Sequence, residues 1–488
     1  MSGVNDPAYV GIDVGTQSAR CVICTAGGEV LAEGASPLPA SAAALPGRAE
    51  QDAEDWWRAV LAAVGEATAG WRQACGPEAA LGAVCVDSTS GTVIPVDAGG
   101  KPLRPAIMYN DMRATEEAQI VSAAGAELEA RLGYRFSPAF ALPKLLWVQR
   151  HEPHTFAATA RFLHAADFVL SRLTGRTDVT DTSNALKTGA DLLACQWPSF
   201  IGDGLGLPLS LLPELHRPGE VVGMVTAGAA AATGLLAGTP VAVGCTDGTA
   251  AFLASGASEP GEANSTLGTT LVVRGVSAAL VRDPLGRVYC HLHPDGLWLP
   301  GGASSCGGEV LERWFAHDYQ ALEAGPLALP SAGLLYPLPR RGERLPFVHA
   351  AAEGFWVREP GAREERFVAC LEGVALVERW CYEVLEQLGM PWPQTLHATG
   401  GAARSDPWLR IRASALGLSV ARPRRPDSAF GAAVLAASAE YGSVREATRA
   451  MVRVESRFEP DPGLVPVYAE RLGELRAACV ARGYVAEA

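Results

Sequence analysis

The sequence predicts an α/β fold in two domains, and three observations lead there. Short β-branched runs alternate with long amphipathic segments, the signature of mixed sheets packed by helices. The pattern restarts after Gly256 with a segment that echoes the opening of the chain. At 488 residues the chain is longer than one hydrophobic core usually serves.

Taken in order, "YVGIDV", "ARCVICT", "LGAVCVDS" and "TVIPVD" read as strands. The first three of these runs are expected to pair as a β-meander. Between them, "DAEDWWRAVLAAVGEATAGWRQA" repeats apolar residues at helical spacing and reads as a helix. Val221 to Thr246 contains no charged side chain, but its Ala, Gly and Thr content and Pro240 make a membrane span a poor reading. A loop, a helix in "AGAAAATGLLAG" and a buried strand in "TPVAVGCTD" fit better. Later, "EANSTLGTTLVVRG" places Gly and Thr in a tight turn between two strand-like runs, as "YVGIDVGTQSARCVIC" does near the start. Two domains built alike and closing around one cleft are the expectation. After Tyr441, "SVREATRAMVRV" and "ERLGELRAACVARG" read as amphipathic helices that could cap the second domain or serve a homodimer.

Composition narrows the function. A formal charge of −13 offers no electrostatic reward for nucleic acid or an anionic membrane, so a small-molecule substrate is expected. Eleven scattered cysteines without a framework read as thiols in a reducing compartment. "MSGVNDPAYVGID" lacks the features of a signal peptide, so the cytoplasm is the expected location.

Gly-containing turns converge backbone N–H groups into anion sites, and neighbouring hydroxyls add donors. Two such turns could grip the phosphates of a nucleotide, although no GxxxxGK[ST] loop occurs. Two acids, Asp13 and Asp247, each end an apolar run. A carboxylate beside a phosphate turn can hold Mg²⁺ through its waters, and a second can take the proton of an attacking hydroxyl. An ordinary cap or hairpin explains any one of these features; the pairing argues for chemistry. The histidines of "HEPH" and "HLH" have no third ligand at recognisable spacing. "GDGLGLPLS" lacks the final glycine of a dinucleotide fingerprint. Paired acids also occur in glycosidases, which would not need the two Gly-Thr turns. A non-catalytic sugar sensor or actin-like nucleotide-binding protein should have lost one of the acids.

From Tyr9 to about Tyr441 the order of motifs resembles the FGGY family of carbohydrate kinases. "DVGTQSAR" is similar to its first phosphate loop, "EQDAEDWW" to a stretch near its sugar site, and "YNDMRA" to its aromatic-x-Asp-x-Arg segment. "SPAFALPKLLWVQR" and "TDVTDTSNALKTGADLLACQW" resemble sugar-domain segments, "TGLLAGTPVAVGCTDGTAA" the strand with the catalytic aspartate, and "STLGTT" the second phosphate loop. "ATGGAARSDPWLRIRASALGLSV", followed by "DSAFGAAVLAA", is similar to the adenosine-binding signature. The resemblance implies two ribonuclease H-like (actin-like ATPase) domains, an N-terminal sugar-binding domain over 1–248 and a C-terminal nucleotide-binding domain over 249–488, with the active site in the cleft between them. It implies ATP and Mg²⁺ as the donor pair and a small sugar as acceptor.

By the same resemblance Asp247 is the general base, and Asp13 holds Mg²⁺ and touches the sugar or the transferred phosphate. Thr16, Gln17 and Ser18 line the first phosphate loop, where Gln17 replaces a frequent Ser or Thr. Gly268 and Thr269 cradle phosphates, Gly307 and Gly308 open a helix under the nucleotide, and Gly400, Gly401, Ala402 and Ser405 lie against it. Arg404 and Trp408 are assigned to structure. The acceptor loop carries Ser90 and Gly91, where glycerol kinases of the family have Arg-Glu and xylulokinases Met-His. A compact Ser-Gly loop resembles the xylulokinase-like subgroup for which D-ribulose is the expected acceptor, ahead of D-xylulose. Ser90 would then bond a sugar hydroxyl, or simply turn the chain. Tyr109 would pack on the carbon chain, and Asp111 would contact the sugar or brace Arg113.

Overall fold

The computed structural model describes residues 7–42, 46–316 and 318–486. The chain forms two compact units. The first holds the described residues up to Ala254 together with His291–Gly296 and Asp427–Val452. The second holds Ser255–Cys290, Leu297–Pro426 and the described residues from Arg453 onward. The first unit therefore takes in segments from well beyond residue 248.

In the first unit, β1 (Ala8–Val14), β2 (Ser18–Thr25) and β3 (Val30–Pro37) form an antiparallel meander. The helix α1 (Ala53–Cys75) follows, then β4 (Leu81–Ser88), which pairs in parallel with β1. The expected meander thus has a different third strand. Val30–Pro37 is an edge strand with mostly half-exposed residues and shows little of the apolar alternation that marks a strand in sequence. Its one buried residue, Gly34, lies against α1, where an added Cβ would stand 2.1 Å from the Ala63 carbonyl oxygen. The Asp52 side chain caps α1 by accepting from the Glu54 amide, and Trp56, Val60, Ala63, Val64, Ala67 and Trp71 form its buried face.

The uncharged stretch after Val221 resolves into β5 (Val221–Met224), α2 (Ala227–Thr233) and β6 (Pro240–Ala242). Helix α2 stops at Gly234 in the left-handed conformation. Among the described residues no helix is long and apolar enough to cross a membrane. The sheet order is β5-β6-β4-β1-β2-β3, with β6, β4 and β1 parallel and β5 antiparallel to β6. Helix α3 (Asp247–Ala254) follows β6.

The second unit repeats this plan. Strands β7 (Glu262–Leu267), β8 (Leu271–Gly275) and β9 (Trp298–Ser304) form the antiparallel meander. Helices α4 (Glu309–Phe315) and α5 (Arg363–Gln387) come next. Then β10 (Thr395–Thr399) pairs in parallel with β7, and β11 (Ser419–Pro423) in parallel with β10. Helix α6 (Asp406–Leu416) lies between β10 and β11 in the chain. In both units a three-stranded meander feeds two further parallel strands, which is the ribonuclease H-like order built twice.

Helix α7 (Ser428–Tyr441) belongs to the first unit although it arrives late in the chain. It packs against backbone on two sides. A Cβ on Gly11 of β1 would lie 1.8 Å from the Ala429 carbonyl oxygen, and one on Gly431 would lie 1.9 Å from that of Ala250 in α3. Only small residues permit this approach, which accounts for the composition of "SAFGAAVLAAS". Helix α8 (Val444–Met451) completes this unit. In the second unit β12 (Val454–Phe458) closes the sheet edge beside β11, and α9 (Leu464–Ala481) packs on α6 and α5.

Candidate active site

In open α/β sheets ligands gather at the carboxyl ends of parallel strands, where loops can converge without disturbing the core. The first unit has a cavity of about 610 Å³ there. The end of β1 supplies Asp13, Gly15, Thr16 and Gln17, and the start of β2 supplies Ser18 and Arg20. The loop after β4 brings Thr89 and Ser90. The start of α3 brings Asp247, and Tyr109, Lys187 and Ser428 complete the lining. The structure thus gathers Asp13, Thr16, Gln17, Ser18, Ser90, Tyr109 and Asp247 as the sequence predicts. Gly15, Arg20, Thr89, Lys187 and Ser428 are additions.

Strand pairing explains the electrostatics. Asp13 is the register partner of Arg20 in β2 and of Asp87 in β4, so the three side chains share a face. Asp87 is fully buried, and neither of its carboxyl oxygens meets a hydrogen-bond donor. Burial, and after it the neighbouring Asp13 and Asp247 charges, push its pKa well above the carboxylate range. Burial also pushes Asp13 up, to about 6; its neighbours Asp87 and Arg20 pull it down, while the charges of Asp247 and Asp427 push it further up.

Asp247 begins α3, and its Oδ1 accepts from the Gly248 amide at 2.6 Å. Behind it the hydroxyls of Ser183, Thr246 and Thr249 form a buried triangle with each side 3.0 Å. This triangle holds the start of α3 against the Thr182–Ala185 turn. Ser90 Oγ is buried with no partner, an orphan hydroxyl beside the cavity. Lys144 fixes the same loop from behind, donating to the carbonyls of Gly91 at 2.8 Å, Ala139 at 3.3 Å and Tyr109 at 3.5 Å. Burial lowers its pKa to about 7, assisted by the charge on Lys187.

Asp111 does not line the cavity. It is fully buried and forms a double hydrogen bond with Arg113 at 2.8 Å each, while also accepting from the Ala49 amide at 2.6 Å. Of the two expected roles it fills the second, bracing Arg113, because both oxygens are already engaged.

The second unit has its own cavity, about 470 Å³, again past the ends of parallel strands. Gly268 and Thr269 follow β7, Gly401 and Ala402 follow β10, and Gly308 stands before α4. Glu309, Leu311, Glu312, Ala316, Tyr319 and Trp408 complete it. Three expected residues lie outside the lining. Gly307 is packed under the loop, where a Cβ would meet the Thr269 carbonyl oxygen at 2.4 Å. Gly400, at φ +83°, lets the chain pass over Leu267. Ser405 caps α6 by accepting from the Trp408 amide at 3.1 Å. Trp408, assigned to structure from sequence, is buried and bonds the Leu371 carbonyl, yet it also lines the cavity. "DSAFGAAVLAA" is not part of this cavity, since it forms α7 of the first unit.

Among the described residues no three His, Cys, Asp or Glu side chains are placed to cage an ion. Asp13 with Asp247 suits a hydrated divalent cation held mainly by water and phosphate, the habit of Mg²⁺.

The chain is similar to known proteins along most of its length. The model of the FGGY family of carbohydrate kinases, N-terminal domain, matches residues 8–254, and that of the C-terminal domain matches residues 263–440. Xylulose kinase of Bacillus subtilis (strain 168) is 28% identical over 481 residues, covering 94% of each chain. Xylulose kinase of Escherichia coli (strain K12) is 30% identical over 423 residues, covering 84% of this chain and 85% of its own. The crystal structure of xylulose kinase from Rhodospirillum rubrum aligns with a TM-score of 0.85 at 30% identity, covering 97% of this chain and 98% of that one.

Proposed function

Because the chain belongs to the FGGY family of carbohydrate kinases, we propose that this ATP-dependent sugar kinase phosphorylates a ketopentose at its terminal hydroxyl, D-xylulose first. The observation that carries the reading is the first unit's cavity, which joins two acids, Asp13 and Asp247, to the orphan Ser90 hydroxyl. Similarity to relatives named xylulose kinase supports D-xylulose over D-ribulose, against the preference drawn from the Ser90-Gly91 loop. D-Ribulose stays as the second reading, because that loop has no side chain at residue 91.

Asp247 is the general base. Its carboxylate, held at the start of α3, takes the proton of the attacking hydroxyl as the oxygen closes on phosphorus. Ser90 bonds a sugar hydroxyl and Tyr109 covers the carbon chain. Gly268, Thr269, Gly401 and Ala402 leave room for the nucleotide against backbone. Asp13 would hold Mg²⁺, which when bound would offset charge on the phosphates.

The test is ADP release with ATP and Mg²⁺ across D-xylulose, D-ribulose, L-xylulose, L-ribulose, D-fructose, glycerol, ribitol and no acceptor. The highest kcat/KM on D-xylulose is the expected result. D-Ribulose in first place would return the Ser90-Gly91 argument to the front, and no acceptor-dependent ADP release would sink the kinase reading on these substrates.

A further inference from the structure

Residue 91 carries no side chain and has no room for one. A Cβ there would stand 2.6 Å from the Ala139 carbonyl oxygen and 2.9 Å from Cδ of Lys187, and the backbone sits at φ +86°. Lys187 occupies the volume that a side chain at position 91 would need. It arrives from a single 3-10 turn, Leu186–Thr188, ended by Gly189 in the left-handed conformation.

The ammonium is underused. Nζ makes one hydrogen bond, to the Ser90 carbonyl at 3.3 Å, and among the described residues it forms no ion pair. An ammonium carries three donors, so two are left for something else. The side chain lines the cavity that also holds Asp13, Ser90 and Asp247. Burial lowers its pKa and the Asp247 charge opposes that shift. With two acids in the same lining, the cation needs no carboxylate on its ligand. A neutral polyhydroxy compound is the chemistry that fits.

We propose that Lys187 is an acceptor-binding residue, donating its free hydrogen bonds to an oxygen of the sugar and, with Ser90, setting which sugar is accepted. This rests on the reading of the first unit's cavity as the acceptor site. Ground-state and transition-state contacts to an unreacting oxygen are alike, so the loss should appear in KM more than in kcat.

The experiment compares wild type with Lys187→Met, which keeps the stem against Gly91 and removes the ammonium. Acceptor KM should rise about 10- to 100-fold, the range for a hydrogen bond to a charged group, with kcat within about threefold and ATP affinity unchanged. A panel of deoxy analogues of the best acceptor adds the decisive cycle. Loss of one particular oxygen should cost the wild type about tenfold or more and cost Lys187→Met almost nothing. An unchanged acceptor KM, or equal deoxy penalties in both proteins, overturns the assignment. If Lys187→Met does not fold, Lys187→Leu, which also lacks a donor, carries the same test with the same two outcomes. Should the wild type prefer an acceptor other than a ketopentose, the proposed substrate class fails and the Lys187 comparison is read on that acceptor. If the wild type neither turns over nor binds any member of the panel by calorimetry, both ideas fall.

Discussion

Asp13 and Asp87 stand side by side in the parallel pairing of β1 and β4, one lining the cavity and the other sealed from solvent. Their environment makes an ionised Asp13 expensive for the fold. Its carboxyl is raised by burial from the ordinary 3.8 to about 6. Between those values the folded protein binds a proton that the unfolded chain does not, so stability falls as pH rises from about 4 to about 6 and the cost is constant above that. Asp13→Asn should therefore unfold at higher urea than wild type at pH 8 without Mg²⁺, by up to about 3 kcal/mol, with the gain gone at pH 4. Equal stability at pH 8 would contradict this. The same variant should lose kinase activity, the usual exchange of stability against a functional charge.

Asp247→Asn keeps an oxygen for the Gly248 amide and removes the proton acceptor. We expect kcat to fall about 10²- to 10⁴-fold while ATP affinity by calorimetry stays within about twofold. Wild-type kcat in the variant would take Asp247 out of the base role.

Lys144 binds three carbonyls, those of Gly91, Tyr109 and Ala139, around the loop after β4. Replacing it with Met leaves them short of donors and should cost about 1–3 kcal/mol. Because Gly91 and Tyr109 are two of the three, sugar KM should rise with no change in nucleotide binding. A rise in both KM values would point instead to general damage.

Gly11→Ala forces a methyl into the Ala429 carbonyl. Helix α7 must shift, at about 3 kcal/mol by urea unfolding. A variant as stable as wild type would show that α7 can move away from β1 at no cost.

The features legible in the sequence were those set by local chemistry. The two Gly-Thr turns, the acids after the apolar runs and the small residues after β10 each satisfy a local rule, and each reaches a cavity lining. Residues that act through tertiary placement were not legible. Lys187 stands in a polar segment where a lysine ordinarily faces water, and only its packing on Gly91 reveals its place. Asp87 reads as an ordinary strand end until the register sets it beside Asp13. Asp111 carries a motif but spends its charge on Arg113. Strand β3 shows little of the alternation that betrays strands, because it is an edge with one face half exposed. The small residues of α7 announce a close approach without saying to what.

That helix has a consequence for synthesis. Strand β1 emerges from the ribosome more than four hundred residues ahead of the element that covers Gly11. Until then one face of β1 lacks its cover, and the first unit must wait for that long intervening stretch before it can close. A nascent chain stalled before Asp427 should accordingly bind holdase chaperones and resist compaction, even with every residue lining the first unit's cavity except Ser428 already made.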